Sequence, residues 1–344
     1  MFQNTIKLFI LIFAGASSQQ IAVLEHETEM GRHNSIVQVD SDTYALAYSD
    51  ENDKGWIVTF TIPSNGTSIT EVTSLRHENN QGHYNSIVQV DSDTYLVAYT
   101  GNGDDGYVST FTISSNGSTI TEVDELEHMA ANGTDNSIVQ VDADTYAVAY
   151  RGKMGDGFIT TFTISSNGSS ITEVASYEYD TSDAYYNSLI QIDSDTYILA
   201  YSGPGDDGFI TTFTISANGS SITEVVELEH DTDKGRHNTL VQVDTDTYAL
   251  AYEGHNSDGF IKTFSVQADG TLSVELTSFE LSGTRNDGIS LQWITESEIN
   301  NLGFILERRT PKTDWVQIAS YVTHQELQGQ GSVSHQTIYT YTDN

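Results

Sequence analysis

Acidic residues lie in glycine-rich loops that recur along the chain, and their spacing suggests three kinds of chemistry. One such stretch, SGPGDDGFITTF at 202–213, places Asp206 and Asp207 between glycines. Two adjacent carboxylates could bind calcium, act as a catalytic acid pair, or only shape a turn. The same connection in other copies supplies further candidate ligand contacts, which are Asp53, Asp104, Asp105, Asp156 and Asp258.

A calcium loop of the EF-hand type needs oxygen ligands at positions 1, 3 and 5, glycine at 6 and glutamate at 12. No copy has this set, because position 1 is Asp50 in one copy and glycine in the others, and position 12 falls in a predicted strand. We therefore expect no cofactor and do not favour calcium. The aspartate before the shared glycine is a weak metal candidate in four copies, namely Asp105, Asp156, Asp207 and Asp258.

Histidines and tyrosines form the second group of candidates. Four residues that directly precede a recurring asparagine are candidate ligand contacts: His33, Tyr84, Tyr186 and His237. Another repeat position holds His26, His77, His128 and His230, with Tyr179 in the remaining copy. Equivalent positions in different repeats are too far apart for one ion about 2 Å from each ligand. We therefore interpret the histidines of this second position as structural and predict no metal site.

A repeat of 51 residues defines the elements that position these side chains. The stretch HNSIVQVDSDTYALAY returns with Asn34, Asn85, Asn136, Asn187 and Asn238 in register. Each copy has four runs of alternating apolar and polar residues, which predict four strands. Asp-x-Asp-Thr turns join the first and second strands of each copy, and Asn-Gly or Asp-Gly turns join the third and fourth. Longer, variable connections join the second strand to the third and each copy to the next. Four antiparallel strands in a unit of this length are typical of a β-propeller blade.

The start of the chain suggests how the propeller closes. LEHETEMGRHN at 24–34 matches LEHDTDKGRHN at 228–238, so the chain enters the repeat at its fourth strand. We predict an all-β protein with a five-bladed propeller at 19–271, in which a strand at 21–27 completes the last sheet and hides both sheet edges. An open fragment of a larger propeller is the alternative.

Charge and composition exclude several classes of function. The net charge of -36 makes nucleic acid and anionic membranes unfavourable partners. The chain has no cysteine, which excludes disulfides, zinc thiolate sites and cysteine nucleophiles. The run LFILIFAGA is too short to span a bilayer and precedes small residues, so 1–18 is a predicted signal peptide. We expect a secreted or cell-surface protein without membrane insertion.

The repeat pattern ends after Gly270 and gives way to a different strand pattern, in which Trp293 is flanked by Leu291 and Ile294 as in a sandwich core. The segments VELTSFELSG, ISLQWITESEINNLGFILERR and YTYTDN resemble the fibronectin type III-like module near the C-terminus of Bacteroidetes proteins that use type IX secretion. The resemblance implies such a module, incomplete, at 272–344, and a chain that is a fragment. The AYSGPGDDGFITT units are similar to tandem repeats of large bacterial extracellular proteins.

Five similar loop sets on one face favour multivalent binding. Near-identical copies are a poor source of the two carboxylates in different environments that a glycosidase needs. We therefore expect a non-catalytic, monomeric binding or adhesion protein that recognises an extracellular glycan or a surface protein, with no catalytic residues. The alternatives are a glycan-active enzyme of propeller fold and a structural spacer in a larger surface protein.

Overall fold

The computed structural model describes residues 20–272, 275–285, 288–308, 316–333 and 336–343. The predicted signal peptide, 1–18, lies outside the described residues. Regular structure within the described ranges is β-strand, apart from single-turn 3-10 helices. These short helices are Asn102–Asp104, Lys153–Gly155, Pro204–Asp206, His255–Ser257 and Gln325–Leu327. In the part of the chain that the structure describes, no helix has the length and hydropathy needed to cross a bilayer.

The first four repeats each form one four-stranded antiparallel sheet, with the strands in chain order. Blade 1 contains β1 Arg32–Gln38, β2 Thr43–Ser49, β3 Gly55–Thr61 and β4 Thr70–Glu78. Blade 2 contains β5 His83–Gln89, β6 Thr94–Thr100, β7 Gly106–Ile113 and β8 Ile120–Met129. Blade 3 contains β9 Thr134–Gln140, β10 Thr145–Arg151, β11 Gly157–Ile164 and β12 Ile171–Asp180. Blade 4 contains β13 Tyr185–Gln191, β14 Thr196–Ser202, β15 Gly208–Ile215 and β16 Ile222–Asp231.

Blade 5 has three strands, β17 Arg236–Asp244, β18 Thr247–Glu253 and β19 Gly259–Ser265, so the prediction of four strands in every repeat is wrong for the fifth. Residues 266 and 272 form only an isolated bridge, because the repeat pattern slips there and the next strand pairs elsewhere. The predicted strand at 21–27 is also absent from this described segment. Its apolar residues Ile21 and Val23 are 64% and 76% exposed, so β19 remains an edge.

The blades stack face to face through apolar side chains of the second and third strands. Alternation places Ala45 and Ala47 of β2 on one face, where they are fully buried with Ile57 of β3. The same cluster takes in Ile87 and Val97 of blade 2, so one core spans two blades. The first strands of successive blades contact one another, β1 with β5, β5 with β9, β9 with β13 and β13 with β17. The first strands therefore surround the axis of the array, and we call the space along this axis the channel.

The C-terminal part is a separate group of strands with its own core. It contains β20 Glu275–Arg285, β21 Gly288–Gly303, β22 Ile305–Arg308, β23 Val316–Ser320, β24 Gln328–Val333 and β25 Thr337–Asp343. β21 pairs with β20, β24 and β25, and β22 pairs with β23. Trp293 is 1% exposed and stacks on Tyr339 with ring centroids 5.5 Å apart, while Leu306 and Leu327 pack in the same cluster.

Candidate active site at the mouth of the channel

The first strand of every blade has an irregular register near its start, and one residue there adopts a left-handed backbone conformation. We call these the bulge residues: His33, Tyr84, Asp135, Tyr186 and His237, with φ between 51° and 56°. A non-glycine residue in this region costs energy, and such strain persists only where the surrounding structure imposes it. A β-bulge re-aims a side chain at the end of a strand. The same bulge in all five blades therefore indicates a selected feature at one end of the channel.

A cavity of about 190 Å³ lies at this end of the first strands. Its lining comes from four blades and consists of bulge residues and the asparagines that follow them. The lining residues are His33, Asn34, Tyr84, Asn85, Asp135, Asn136, Tyr186 and Asn187. Pockets for drug-sized ligands are typically about 300–1,000 Å³, so this cavity suits a smaller, polar molecule.

Asp135 supplies the carboxylate of the cavity lining. Its side chain is 7% exposed and accepts hydrogen bonds from the Tyr186 N–H and from the Thr134 hydroxyl, each 3.0 Å long. Burial raises the pKa of Asp135, and these hydrogen bonds together with the positive charge of Arg151 act in the opposite direction. A partly desolvated carboxylate is a stronger base than one in water, so Asp135 has the properties of a general base.

Aromatic and imidazole rings stand on both sides of this carboxylate. The His33 ring lies 4.4 Å from the Tyr84 ring, and the Tyr186 ring lies 4.2 Å from the His237 ring, centroid to centroid. Burial, and then the field of His83, lowers the pKa of His33 to about 4, so this imidazole is neutral near pH 7. Burial raises the pKa of Tyr84 to about 12, so its phenol stays protonated and can donate a hydrogen bond.

The asparagines fix the bulge rather than only lining the channel. Asn85 Nδ2 donates to the Gly82 carbonyl at 2.7 Å, three residues earlier, and this contact recurs in the other blades. Asn187 Nδ2 also donates to the Asp135 carbonyl of the preceding blade at 3.2 Å. The asparagine of one blade thus holds the backbone of the bulge before it, which supports the position of Asp135.

The loop aspartates predicted as ligand contacts connect neighbouring blades or close turns. The carbonyls of Asp53, Asp104 and Asp206 accept the backbone N–H of the next connection at 2.7–2.8 Å, the donors being Gly82, Gly133 and Gly235. The carboxylate of Asp206 pairs with Arg236, and that of Asp53 lies 3.0 Å from His83 Nε2. The carbonyls of Asp105, Asp156, Asp207 and Asp258 accept the N–H of the glycine four residues earlier.

The cavity lining includes none of these loop aspartates. Within the described ranges, no group of three or more His, Asp or Glu side chains is placed to hold a metal ion. The structure does bring together three predicted ligand contacts, His33, Tyr84 and Tyr186, and it places His237 against Tyr186 on blade 5.

Asp135 was not among the residues predicted from the sequence. The predicted contacts occupy positions that recur in most copies, and each acid is interpreted as one of several equivalents. The residue type at the bulge position differs from copy to copy, however, and Asp135 is the single carboxylate among the five bulge residues. The sequence signal that could have identified the site was therefore variation within an otherwise regular repeat.

No protein-family model and no curated protein matches the sequence. Among solved structures, the chain is similar to the periplasmic gluconolactonase of Pseudomonas aeruginosa, with a TM-score of 0.51 and 14% identity over 89% of this chain and 87% of that chain. It is also similar to a putative 6-phosphogluconolactonase of Bacteroides fragilis, with a TM-score of 0.52 and 12% identity over 88% and 86% of the two chains. A putative 6-phosphogluconolactonase of Bacteroides uniformis is similar with a TM-score of 0.52 and 11% identity over 88% of this chain and 87% of that chain. At these identities the likeness shows a propeller-like all-β fold.

The expectation of a non-catalytic binding protein, with no enzymatic activity, is corrected by these neighbours. One is named a gluconolactonase and two are named putative 6-phosphogluconolactonases, and together they favour the alternative of an enzyme of propeller fold over a non-catalytic binder. That expectation rested on the similarity of the repeats. The bulge residues share a backbone conformation, but their side chains differ from blade to blade. Variation at these five positions removes the symmetry that argued against catalysis.

Proposed function

We propose that the chain is an enzyme that acts on a small sugar-derived ring, and that it hydrolyses the lactone of a sugar acid at the mouth of the channel. The observation that carries the proposal is the single buried carboxylate of Asp135 among neutral donors in a cavity of about 190 Å³. A sugar lactone matches this lining, because its hydroxyl groups can exchange hydrogen bonds with phenol, amide and imidazole groups.

The reaction requires one base and one activated water. Asp135 takes a proton from the water as the water oxygen bonds to the lactone carbonyl carbon. The bond between that carbon and the ring oxygen then breaks, the proton passes to the ring oxygen, and the product is an open-chain hydroxy acid. Tyr84 and Tyr186 line the cavity and supply phenol donors for the carbonyl oxygen, which becomes negative during attack.

The number of acids distinguishes lactone hydrolysis from glycoside hydrolysis. Glycosidases use two carboxyl groups about 5–10 Å apart, one as acid and one as base or nucleophile. The described cavity lining holds one carboxylate, that of Asp135. It also holds no lysine or arginine, and the chain carries a net charge of -36, so an unphosphorylated lactone is favoured over a phosphorylated one.

The proposal extends to the setting of the enzyme. The apolar start of the chain supports export, and the five 51-residue repeats support five propeller blades within 19–271, the fifth without its fourth strand. The strand pattern around Trp293 supports a fibronectin type III-like module at 272–344. A secreted or surface-bound protein of this kind would meet sugar acids released from extracellular glycan, and the loop aspartates Asp104 and Asp206 would contact such glycan on the face with the longer connections.

The test is a titration assay of the full chain with D-glucono-1,5-lactone at constant pH, with spontaneous hydrolysis subtracted. We expect saturable acid release that D135N reduces to near the uncatalysed rate. Asp142→Asn, in an exposed turn between β9 and β10, is the matched control and should keep the activity. A wild-type rate equal to the uncatalysed rate, or full activity in D135N, would reject the proposal.

A further inference from the structure

Two sets of hydrogen bonds recur at every interface between successive blades. In the first, a threonine hydroxyl of the third strand donates to a turn glycine carbonyl of the next blade, at 2.7–2.8 Å. The pairs are Thr59–Gly117, Thr110–Gly168, Thr161–Gly219 and Thr212–Gly270. In the second, a first-strand N–H donates to a serine hydroxyl of the preceding blade, at 3.0–3.2 Å. The pairs are Ile87–Ser35, Ile138–Ser86, Leu189–Ser137 and Leu240–Ser188.

The two ends of the array carry the residues for one more interface of the same kind. One repeat beyond Thr212 is Thr263 on blade 5, and one repeat before Gly117 is Gly66 on blade 1. In the same way, Thr239 of blade 5 lies one repeat after Ser188 of blade 4, so it places a hydroxyl at the equivalent position. Each end thus holds one half of the recurring contacts.

The apolar faces at the two ends are exposed where their equivalents are buried. Ile36 of blade 1 is 60% exposed, whereas its equivalents in blades 2 to 5 are 4–7% exposed. Ile261 of blade 5 is 76% exposed, whereas the same position is 0% exposed in blades 1 to 4. Both faces therefore have the side chains of a blade interface without a neighbouring blade.

The segment before blade 1 is already placed as a fourth strand would be. The His26 ring lies 4.8 Å from the Tyr48 ring, which matches the 4.7 Å between His77, at the end of β4, and Tyr99 of blade 2. On the other end, Gly259 of β19 has open space where a side chain would project. The equivalent glycine of blade 1 is covered by His77.

From these matching halves we infer that two copies of the chain associate head to tail. Residues 21–27 of one copy pair with the edge strand β19 of the other and supply the missing fourth strand of its blade 5. The Ile36 face of the first copy then packs on the Ile261 face of the second, as internal blades pack. A second copy fits better than the chain's own start, because strands β1 and β17 do not reach one another as successive first strands do in the described array.

An interface of this kind is heterologous, so each copy keeps one free end and association continues to a closed ring or an open filament. It also covers the edge of β19, which would otherwise be a template for non-specific pairing. The association replaces our sequence-based expectation of a monomer.

Disulfide trapping tests the proposal directly, because the chain has no cysteine of its own. The double variant I36C/T239C places one thiol on each terminal face. S86C/I138C is the matched control, since these residues meet at an internal interface. Under mild oxidation, I36C/T239C should give covalent dimers and larger species, and the control should give cross-linked monomers. A cross-linked monomer from I36C/T239C would show closure within one chain and overturn the proposal, as would no cross-link.

Sedimentation of the unmodified chain over a concentration series supplies the second readout. We expect self-association that Ile261→Glu weakens on the order of 100-fold or more, because the interface would bury an unpaired charge. Met154→Glu, in the short 3-10 helix between β10 and β11 and 80% exposed, is the control and should associate as the wild type does. A wild-type chain that stays monomeric at all concentrations, or an Ile261→Glu variant that associates normally, would contradict the proposal.

Discussion

The Asp135 carboxylate accepts a hydrogen bond of 3.0 Å from the backbone N–H of Tyr186, the residue at the same repeat position one blade further on. The candidate base is therefore oriented by the neighbouring blade rather than by its own. We therefore expect a change in the packing of blade 4 on blade 3 to shift this carboxylate. Packing between blades and chemistry at the channel mouth are in this way directly connected.

Replacement of Asp135 by asparagine should separate activity from stability. Loss of a general base typically costs about 10²–10⁴-fold in rate, and we expect a decrease of that size in lactone hydrolysis. Burial raises the pKa of Asp135, so the ionised form is disfavoured in the folded state at neutral pH. D135N should accordingly unfold at an equal or higher temperature than wild type, as measured by calorimetry at pH 7. A less stable, fully active variant would contradict both parts.

The same raised pKa determines how the activity depends on pH. The base works only when ionised, so the rate should fall as the pH decreases through the pKa of Asp135. Because burial raises this pKa, the fall should lie above the ordinary range for an aspartate, near 3.9. A profile of kcat/KM between pH 4 and 8 checks this, and an activity that stays constant down to pH 4 would exclude Asp135 as the base.

Three histidines should make the fold sensitive to acid, since His77 and His230 are buried and the ring nitrogens of the half-buried His128 are also shielded from water. Burial lowers the pKa of His77, His128 and His230 to about 3 in the folded state, against 6.5 in the unfolded chain. The unfolded state therefore gains protons first as the pH falls below 6.5, and stability decreases until about pH 3. Each histidine should cost about 1.4 kcal/mol per pH unit in this window. Urea unfolding at pH 7 and pH 5 measures the loss.

The third repeat shows which substitution should remove this sensitivity. There the position is Tyr179, whose hydroxyl donates to Asn187 Oδ1 at 2.7 Å. In His77→Tyr, a phenol in place of the imidazole should reach Asn85 Oδ1 in the same way, and it carries no charge change in this pH range. The variant should lose less stability between pH 7 and pH 5 than wild type. Met154→Tyr, at a position that is 80% exposed and carries no titratable side chain, should leave that loss unchanged.

The recurring threonine contacts predict different costs for internal and terminal positions. Thr161 is fully buried and donates to the Gly219 carbonyl at 2.8 Å, so Thr161→Val should cost about 1–3 kcal/mol in the free energy of unfolding. Thr263 occupies the same position on exposed β19, and Thr263→Val should change stability by less than about 0.5 kcal/mol in dilute solution. Equal costs would mean that the terminal contact is already made within one chain.

Much of the blade structure could be predicted from sequence, because alternation and turn residues act locally. The pattern TYALAY forms a strand, β2 and its copies, as predicted, and the structure shows that this strand is buried in blades 1 to 4. The edges could not be predicted in this way. The match of 24–34 to 228–238 indicated a fourth strand, but pairing with β19 depends on where the two ends of the array lie, which local pattern does not determine.

The candidate site illustrates a second limit. His33, Tyr84 and Tyr186 were selected from their place in the repeat, and the structure brings them to one cavity. Asp135 was not selected, since its importance depends on its burial to 7% exposure and on contacts with the next blade. In the sequence alone, a carboxylate at a variable repeat position cannot be distinguished from an exposed surface residue, because its burial depends on packing between blades.

The five bulge residues adopt nearly the same backbone conformation whether the side chain is histidine, tyrosine or aspartate. The strand therefore tolerates a change of side chain at this point without a change of path. Gene duplication followed by single substitutions could thus change the side chains at the end of the first strands one blade at a time. The array can accordingly be regarded as a modular scaffold for enzyme engineering, in which a library at five codons would sample new specificities on an unaltered framework.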